Sequence, residues 1–501
     1  MRDLEVLMNP NRMVRHLQKP ASEFTKYDII KYIDDHGIEM LNFRYVGEDG
    51  KLKTLNFVIT SKDYLESILS TGERVDGSSL FSYIDADHSD LYVIPRYRTA
   101  FVNPFTEQPT LDILCSFYTR DGRPLESAPE HILRKASNLF QLETGFTFKA
   151  MGELEYYIIS EKEDLYPVKD QRGYHTSAPY TNWENLRLEA LQIIAQCGGK
   201  VKYGHSEVGN FTSGKLFHEQ HEIEFIPVEA EEAIEQLIIA KWILRMLGQK
   251  YGVTISFAPK ITVGKAGSGL HIHLMVEKDG MNCMADEHGL TETARKIIAG
   301  ILSRARSLTA FGNTIPTSYL RLVPHQEAPT MICWGDTNRS VLMRVPLGWV
   351  AKTQMIKDAN PQERGEVPYI SGKQTVEFRA PDGSADLYHL AAGMILAAKE
   401  GLQSGDALDR AAELYVDVDI FNPEHAAIFD KLQSLPTSCY ESAGYLEADA
   451  EFYTREGVFP SGTIESFVKR LKGYDDRELS ERLYQKTEET MQVVQQYLHC
   501  M

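Results

Sequence analysis

The chain has 501 residues, 43% hydrophobic and 25% charged, which are ordinary globular proportions and exclude a largely disordered polymer. Its formal net charge of −18 disfavours a nucleic-acid partner, which needs a basic surface, but leaves room for a nucleotide in a local cationic pocket. No run of about 18 apolar residues predicts a membrane-spanning helix, and sparse cysteines without C-x-x-C spacing, behind a polar start lacking a secretory signal, suit a cytoplasmic protein.

In chain order, residues 27–36 and 62–70 carry apolar side chains at helical spacing, and residues 39–43 and 52–59 read as strands. Together they make residues 1–125 a small α+β unit, with a turn-rich stretch at 103–109. Residues 126–501 form a larger unit of intermixed helices and strands. Helices are predicted over 128–143, 183–197, 229–251, 291–311 and 387–402. Gly145, Gly198, Gly252, Gly312 and Gly405 stand close behind them as stop signals. From Ser461 two further helices follow. The last, over 477–498, reads as long and charged, able to dock on a neighbouring subunit.

Four strand-like segments carry the chemistry. In Gly152-Glu-Leu-Glu-Tyr-Tyr-Ile-Ile159, alternation puts Glu153, Glu155 and Tyr157 on one face. His221-Glu-Ile-Glu-Phe225 does the same with Glu222 and Glu224. Leu270-His-Ile-His-Leu274 aligns His271 and His273, and Thr375-Val-Glu-Phe-Arg-Ala380 aligns Glu377 and Arg379. Any one such strand taken alone reads first as a wet outer face. The two histidines on one face, behind the tight Gly267-Ser-Gly269, point more strongly to metal or substrate. Many carboxylates with few imidazoles suit Mg²⁺ or Mn²⁺ better than zinc.

A metal–phosphate site also needs cations. Asn338-Arg-Ser-Val-Leu-Met-Arg-Val-Pro346 supplies Arg339 and Arg344, whose planar guanidinium groups bind phosphate oxygens in pairs, unless both are spent in surface ion pairs. Gly209-Asn-Phe-Thr-Ser-Gly-Lys-Leu216 is a near-match to a phosphate loop. It ends in leucine where a magnesium-binding hydroxyl is required, so it is set aside.

These segments, in this order, resemble the motifs of glutamine synthetases over nearly the whole chain. They are Asp76-Gly-Ser-Ser79, Gly152–Tyr157, Glu207-Val208 with Glu219–Phe225, Gly267–His273, Tyr319–Pro329 leading into Trp334–Ser340, and Glu377–Asp382. The resemblance implies an α+β fold: a small β-grasp-like N-terminal domain, then a large catalytic α/β domain with antiparallel strands lining the active site. It implies ATP-dependent ligation of glutamate and ammonia to glutamine through a γ-glutamyl phosphate, in a homo-oligomer such as a ring-stacked dodecamer with sites between subunits. It further implies that Glu155, Glu207 and Glu222 hold one Mg²⁺ or Mn²⁺, and Glu153, His271 and Glu377 a second. Arg339 and Arg344 would hold the ATP phosphates, with His273 near the nucleotide. Arg321, Arg379 and Gly267 would meet the acid substrate and the phosphoryl group. Asp76, with Ser79 and Tyr174, would bind ammonium and serve the next subunit, and Glu327 would close over the intermediate.

Substrate-contacting positions depart from the pattern. Ala266 replaces an asparagine, His325-Gln326 a Gly-Tyr pair before Glu327, Leu320 a lysine, Ser206 a histidine and Asp386-Leu387 an Asn-Pro. The connection between Glu207 and Glu222 is also longer, near Asn210–Phe217. These changes keep open the same ligation with another amine or acid, and also a catalytically silent relative. An unrelated metal hydrolase would leave the arginine segments unexplained.

Overall fold

The computed structural model describes residues 6–84, 89–162, 165–262, 264–323, 328–348, 354–365, 372–483 and 486–500. Six strands build the first sheet: β1 (Met40–Val46), β2 (Leu52–Val58), β3 (Glu73–Asp76), β4 (Asp90–Pro95), β5 (Phe101–Val102) and β6 (Thr110–Thr119). Their order is β2-β1-β6-β4-β3, with β5 also on β6; β1 and β6 run parallel and the other pairs antiparallel. Helix Lys26–His36 packs with Lys62–Thr71. It starts at a capping box in which Thr25 and Asp28 satisfy each other's main chain, and ends at Gly37 in the left-handed region. Ile29, Ile33, Phe43, Leu65, Leu69 and Ile113 fill the core of this unit.

The second sheet collects β7 (Thr147–Glu161), β8 (Val201–Ser213), β9 (Leu216–Phe225), β10 (Val228–Glu229), β11 (Thr254–Ser256), β12 (Leu270–Lys278) and β13 (Met281–Asn282). Past a hairpin of β14 (Ala285–Asp286) and β15 (Gly289–Leu290), it is completed by β16 (Trp334–Asp336), β17 (Met343–Val345) and β18 (Val376–Phe378). The main path is β16-β17-β18-β12-β7-β9-β8, antiparallel except for the β16–β17 pair. One face lies on Ala230–Tyr251 and the helices behind it. Helix Leu387–Gln403 is apolar almost all round because it is buried among Pro129–Thr144, Glu292–Ser303 and Ala305–Gly312. Gly300 and Gly401 let two of these helices nearly touch: a Cβ on Gly300 would lie 2.8 Å from Gly401 Cα. Among the described residues no helix is long and apolar enough to cross a membrane.

Two expectations need correction. The helix predicted over 291–311 is two, Glu292–Ser303 and Ala305–Gly312. The break falls at Arg304 (φ −111°, ψ 6°), whose guanidinium is held by Glu400 at 2.8 and 2.9 Å and by Asp449 at 2.7 Å. The long final helix is instead two shorter ones, Leu479–Arg482, which starts behind Glu478 in a left-handed conformation (φ 57°), and Thr487–Gln496. The chain end docks on its own catalytic unit: Arg245 donates to Cys500 O at 2.7 Å and Ser256 to Leu498 O at 2.6 Å.

The outer part of the sheet carries an acid-sensitive contact. His218 on β9 stacks flat on Phe211 of β8, with ring centroids 4.4 Å apart at 6°, and burial lowers its imidazole to about 4 from a usual 6.5. Between those values the unfolded chain takes a proton that the folded chain refuses. The contribution is therefore complete above pH 6.5 and lost as pH falls towards 4. It amounts to roughly 2 kcal/mol after allowing for residual solvent screening. His218→Phe should flatten that acid slope, read as urea midpoints above pH 6.5 and near pH 4. An unchanged slope would assign it to other groups.

Candidate active site

Strand register turns the alternating faces into three rungs across the sheet. The first aligns Arg344, Glu377 and His273; the second aligns His271, Glu153, Glu224 and Tyr203; the third aligns Glu155, Glu222 and His205. Successive rungs are two residues apart, so all face the same side. They open into a cleft of about 1090 Å³ that also receives Glu207, Tyr174, Gly267, Arg321, Arg339 and Arg379.

The acidic groups gather into two sets, Glu153 with His273 and Glu377, and His205 with Glu207 and Glu222. Within each set ligand atoms lie within 4.8 Å of one another. His271 belongs beside the first: its Nδ1 is 3.0 Å from Glu153 Oε2 and 3.3 Å from Glu377 Oε1. His273 Nε2 is 2.8 Å from Glu153 Oε1. Glu155 Oε2 accepts from Gly269 N–H at 2.8 Å and Gln220 Nε2 at 3.1 Å, and Glu155 stands opposite Glu222. Burial and then the neighbouring carboxylates Glu153, Glu155, Glu207 and Glu224 push Glu222 well above the usual range. Burial also pushes Glu153 up, but His273 and His271 outweigh it and hold Glu153 well below that range. Oxygen-rich sets with added imidazole, crowded enough to push Glu222 well above the usual range, fit the charge and donor type of Mg²⁺ or Mn²⁺.

The arginines close the other side. Arg344 donates to Glu377 at 2.8 Å and Arg379 to Glu377 at 3.1 Å. Arg321, buried at the end of helix Ser318–Arg321, donates to Ala380 O at 2.9 Å and lies 3.3 Å from His271 Nε2. The glycines of Gly267-Ser-Gly269 are there for closeness. A Cβ on Gly267 would lie 3.0 Å from Arg321 Cγ, and one on Gly269 would lie 2.6 Å from His271 Nε2.

Not every expected residue joins this cleft. Asp76 ends β3 on the first sheet and Ser79 follows in the turn Gly77–Ser79; Asp76 accepts from both Ser78 and Ser79 at 2.7 Å, and neither Asp76 nor Ser79 lines the cleft of its own chain. Tyr174 does, half-exposed and stacked on His175 at 4.1 Å. Glu327, with His325 and Gln326, lies outside the described residues.

Two residues went unassigned in the sequence reading. His205 Nε2 is 3.0 Å from Glu222 Oε2. Gln220 bridges Glu155 to Gly267 O at 2.9 Å, while its Oε1 accepts from Gly209 N–H at 3.0 Å. Strand parity could have found both, since His205 precedes Glu207 by two and Gln220 precedes Glu222 by two.

A family model for the glutamine synthetase catalytic domain matches residues 126–489, and one for the glutamine synthetase β-grasp domain matches residues 37–120. The chain belongs to the glutamine synthetase family. The glutamine synthetase of Mycolicibacterium smegmatis is 30% identical over 490 residues, spanning 89% of this chain and 94% of that one. That of Clostridium saccharobutylicum is 29% identical over 435 residues, covering 85% and 90%. Among solved structures, Plasmodium falciparum glutamine synthetase superposes with a TM-score of 0.74 at 21% identity, covering 94% of this chain and 98% of that one. GmaS in complex with ADP gives 0.69 at 19%, covering 89% and 96%. The β-grasp unit followed by a catalytic unit is thus the family's fold.

Proposed function

We propose that this glutamine synthetase family member joins glutamate to ammonia at the expense of ATP, through a γ-glutamyl phosphate. The observation that carries this reading is the set of three rungs, which puts two carboxylate–imidazole clusters and the Arg339, Arg344, Arg321 and Arg379 side chains in one cleft. Glu207 and Glu222, with Glu155 and His205, would hold one Mg²⁺ or Mn²⁺; Glu153 and Glu377, with His271 and His273, would hold the other. The bound ions would supply neutralisation of charge on the transferring phosphoryl group.

This chain's residues do the rest. Arg339 and Arg344 hold the ATP phosphates, with His273 on the nucleotide side. Arg321 and Arg379, with Gly267 beside them, orient the acid so that its γ-carboxylate oxygen attacks the terminal phosphorus and ADP leaves. Ammonium has no free lone pair, so Asp76 of a neighbouring copy, placed with its Ser79 near this chain's Tyr174, accepts its proton. Ammonia then attacks the acyl carbon, phosphate leaves, and Glu327 excludes water and takes the remaining proton. Asp76 reaches a cleft only if copies of the chain assemble, which is why a ring of subunits is part of the proposal. GmaS, which shares the fold, was solved with ADP, the nucleotide product expected here.

A second reading, the same chemistry with another amine or acid, rests on one feature. Ala266, next to Gly267 of the cleft lining, has no side-chain amide and its main chain is spent elsewhere, its N–H donating to Gln171 Oε1 and its O accepting from Tyr157 Oη, both at 2.8 Å. One experiment separates the readings: phosphate release from ATP and Mg²⁺ or Mn²⁺, with glutamate and ammonium each omitted in turn. Release that needs both is expected. Release only when an alkylamine or another acid is supplied would move the assignment to the second reading. No turnover with any pair would defeat both.

A further inference from the structure

Behind the cleft, on the opposite face of the same sheet, lies a buried polar cluster that the ligase reading does not use. Alternation turns Glu222 and Glu224 of β9 into the cleft, so Glu219 and His221 point the other way. On β8, Ser206 does the same between His205 and Glu207, and it stands opposite His221. All three are buried. Arg187, buried on helix Glu184–Gln196, donates to His221 Nδ1 at 2.9 Å and to Ser206 Oγ at 3.1 Å. That leaves the proton on His221 Nε2, 2.6 Å from Glu219 Oε1. Burial pushes Glu219 up, but His221 and Thr181 outweigh it and hold Glu219 below the usual carboxylate range.

The cluster grips residues 165–183, which contain neither helix nor strand yet carry Tyr174 and His175 to the cleft. Glu219 Oε1 accepts from Thr181 Oγ1 at 2.6 Å and from Trp183 N–H at 3.1 Å, and Oε2 from Asn182 N–H at 2.9 Å. Ser206 holds the stretch nearer Tyr174. Its Oγ donates to Thr176 O at 3.0 Å, and its carbonyl accepts from His175 N–H at 2.9 Å. His175 itself sits at φ 56°, a costly conformation outside glycine that persists where the surroundings enforce it. Its ring packs on Tyr174 at 4.1 Å and on His205 at 4.3 Å between centroids. The place of the Tyr174 ring therefore depends on bonds made at the far face of the sheet.

We propose that Glu219 and Ser206 are positioning residues for the amine: they fix the stretch 175–183 so that the Tyr174 ring stands where ammonium binds. This rests on the ligase reading, in which Tyr174 belongs to the ammonium site. Neither side chain lines the cleft, so each acts on the reaction through the segment it holds.

Glu219→Gln keeps the side chain's size but turns one of two accepting oxygens into a donor that faces donors. It should raise the ammonium concentration for half-saturation about tenfold or more. kcat and the half-saturation for ATP should change less than about twofold. Ser206→Ala should move the ammonium constant in the same direction. Added to Tyr174→Ala, Glu219→Gln should raise it no further, because the ring it places is gone. Acrylamide quenching of Trp183, assigned with Trp183→Phe, reads the hold on the stretch without turnover and should increase in Glu219→Gln. Where wild type turns over only with an alkylamine, the constant read is that amine's. An unchanged amine constant in both variants, or unchanged Trp183 quenching, would overturn the proposal. So would full additivity with Tyr174→Ala, or an equal rise for ATP, acid and amine, which marks a general loss of folding. These failures appear in the variants alone; no turnover in wild type would defeat the ligase reading and this inference with it.

Discussion

Glu153→Gln should lower ligation on the order of 10²–10³-fold while leaving the fold intact. Glu153 is the carboxylate shared by both imidazoles, 3.0 Å from His271 Nδ1 and 2.8 Å from His273 Nε2. Glutamine keeps its volume and much of its hydrogen bonding, but not the charge that a dication needs. The same change should not lower the melting temperature of the metal-free protein. Burial and then Glu153 lead the influences that push Glu222 above the usual range, so removing the Glu153 charge relieves that crowding and offsets the lost attraction to His273 and His271. Weaker Mn²⁺ binding by calorimetry, a collapsed rate and an unchanged or higher melting temperature form the expected set. A variant that turns over at close to the wild-type rate would remove Glu153 from the metal site.

Strand parity made most of this cleft legible. Glu153, Glu155, Glu222, His271, His273 and Glu377 fall on one face from alternation alone, because a strand's side chains repeat every two residues. Register was not legible. Which imidazole meets which carboxylate depends on pairings such as His273 with Glu377 and His271 with Glu153, set by segments a hundred residues apart. That is why the close-packed sets in the structure hold His205 and His273, where the resemblance alone points to Glu155 and His271. His205 was hidden because its pairing with Glu222 depends on the register of β8, which shifts between Ser206 and Asn210. The helix boundary missed at Arg304 has a different origin. Arginine is no helix breaker, and the bonds that seat Arg304 come from Glu400 and Asp449, far along the chain.

Asp112→Ala should cost about 3–5 kcal/mol, the largest stability loss expected outside the cleft. Asp112, at 0% exposure on β6, is the buried acid of the first sheet. It accepts from Asn42 at 2.8 Å, from Arg44 Nε at 2.6 Å and from Asn103 at 3.0 and 3.2 Å. Alanine would leave a 7%-exposed guanidinium without its counter-charge and two amides short of an acceptor. The damage should spread across the seam, because the Arg44 guanidinium lies 4.6 Å from the Trp242 ring centre on the catalytic side. Loss of Arg44 order should therefore appear as Trp242 exposure at urea concentrations below those that unfold the catalytic unit. Asp112→Asn keeps an acceptor but not the charge, and should fall between wild type and alanine. A shift of less than about 1 kcal/mol for alanine would mean that water replaces the carboxylate and that the first sheet does not depend on this network.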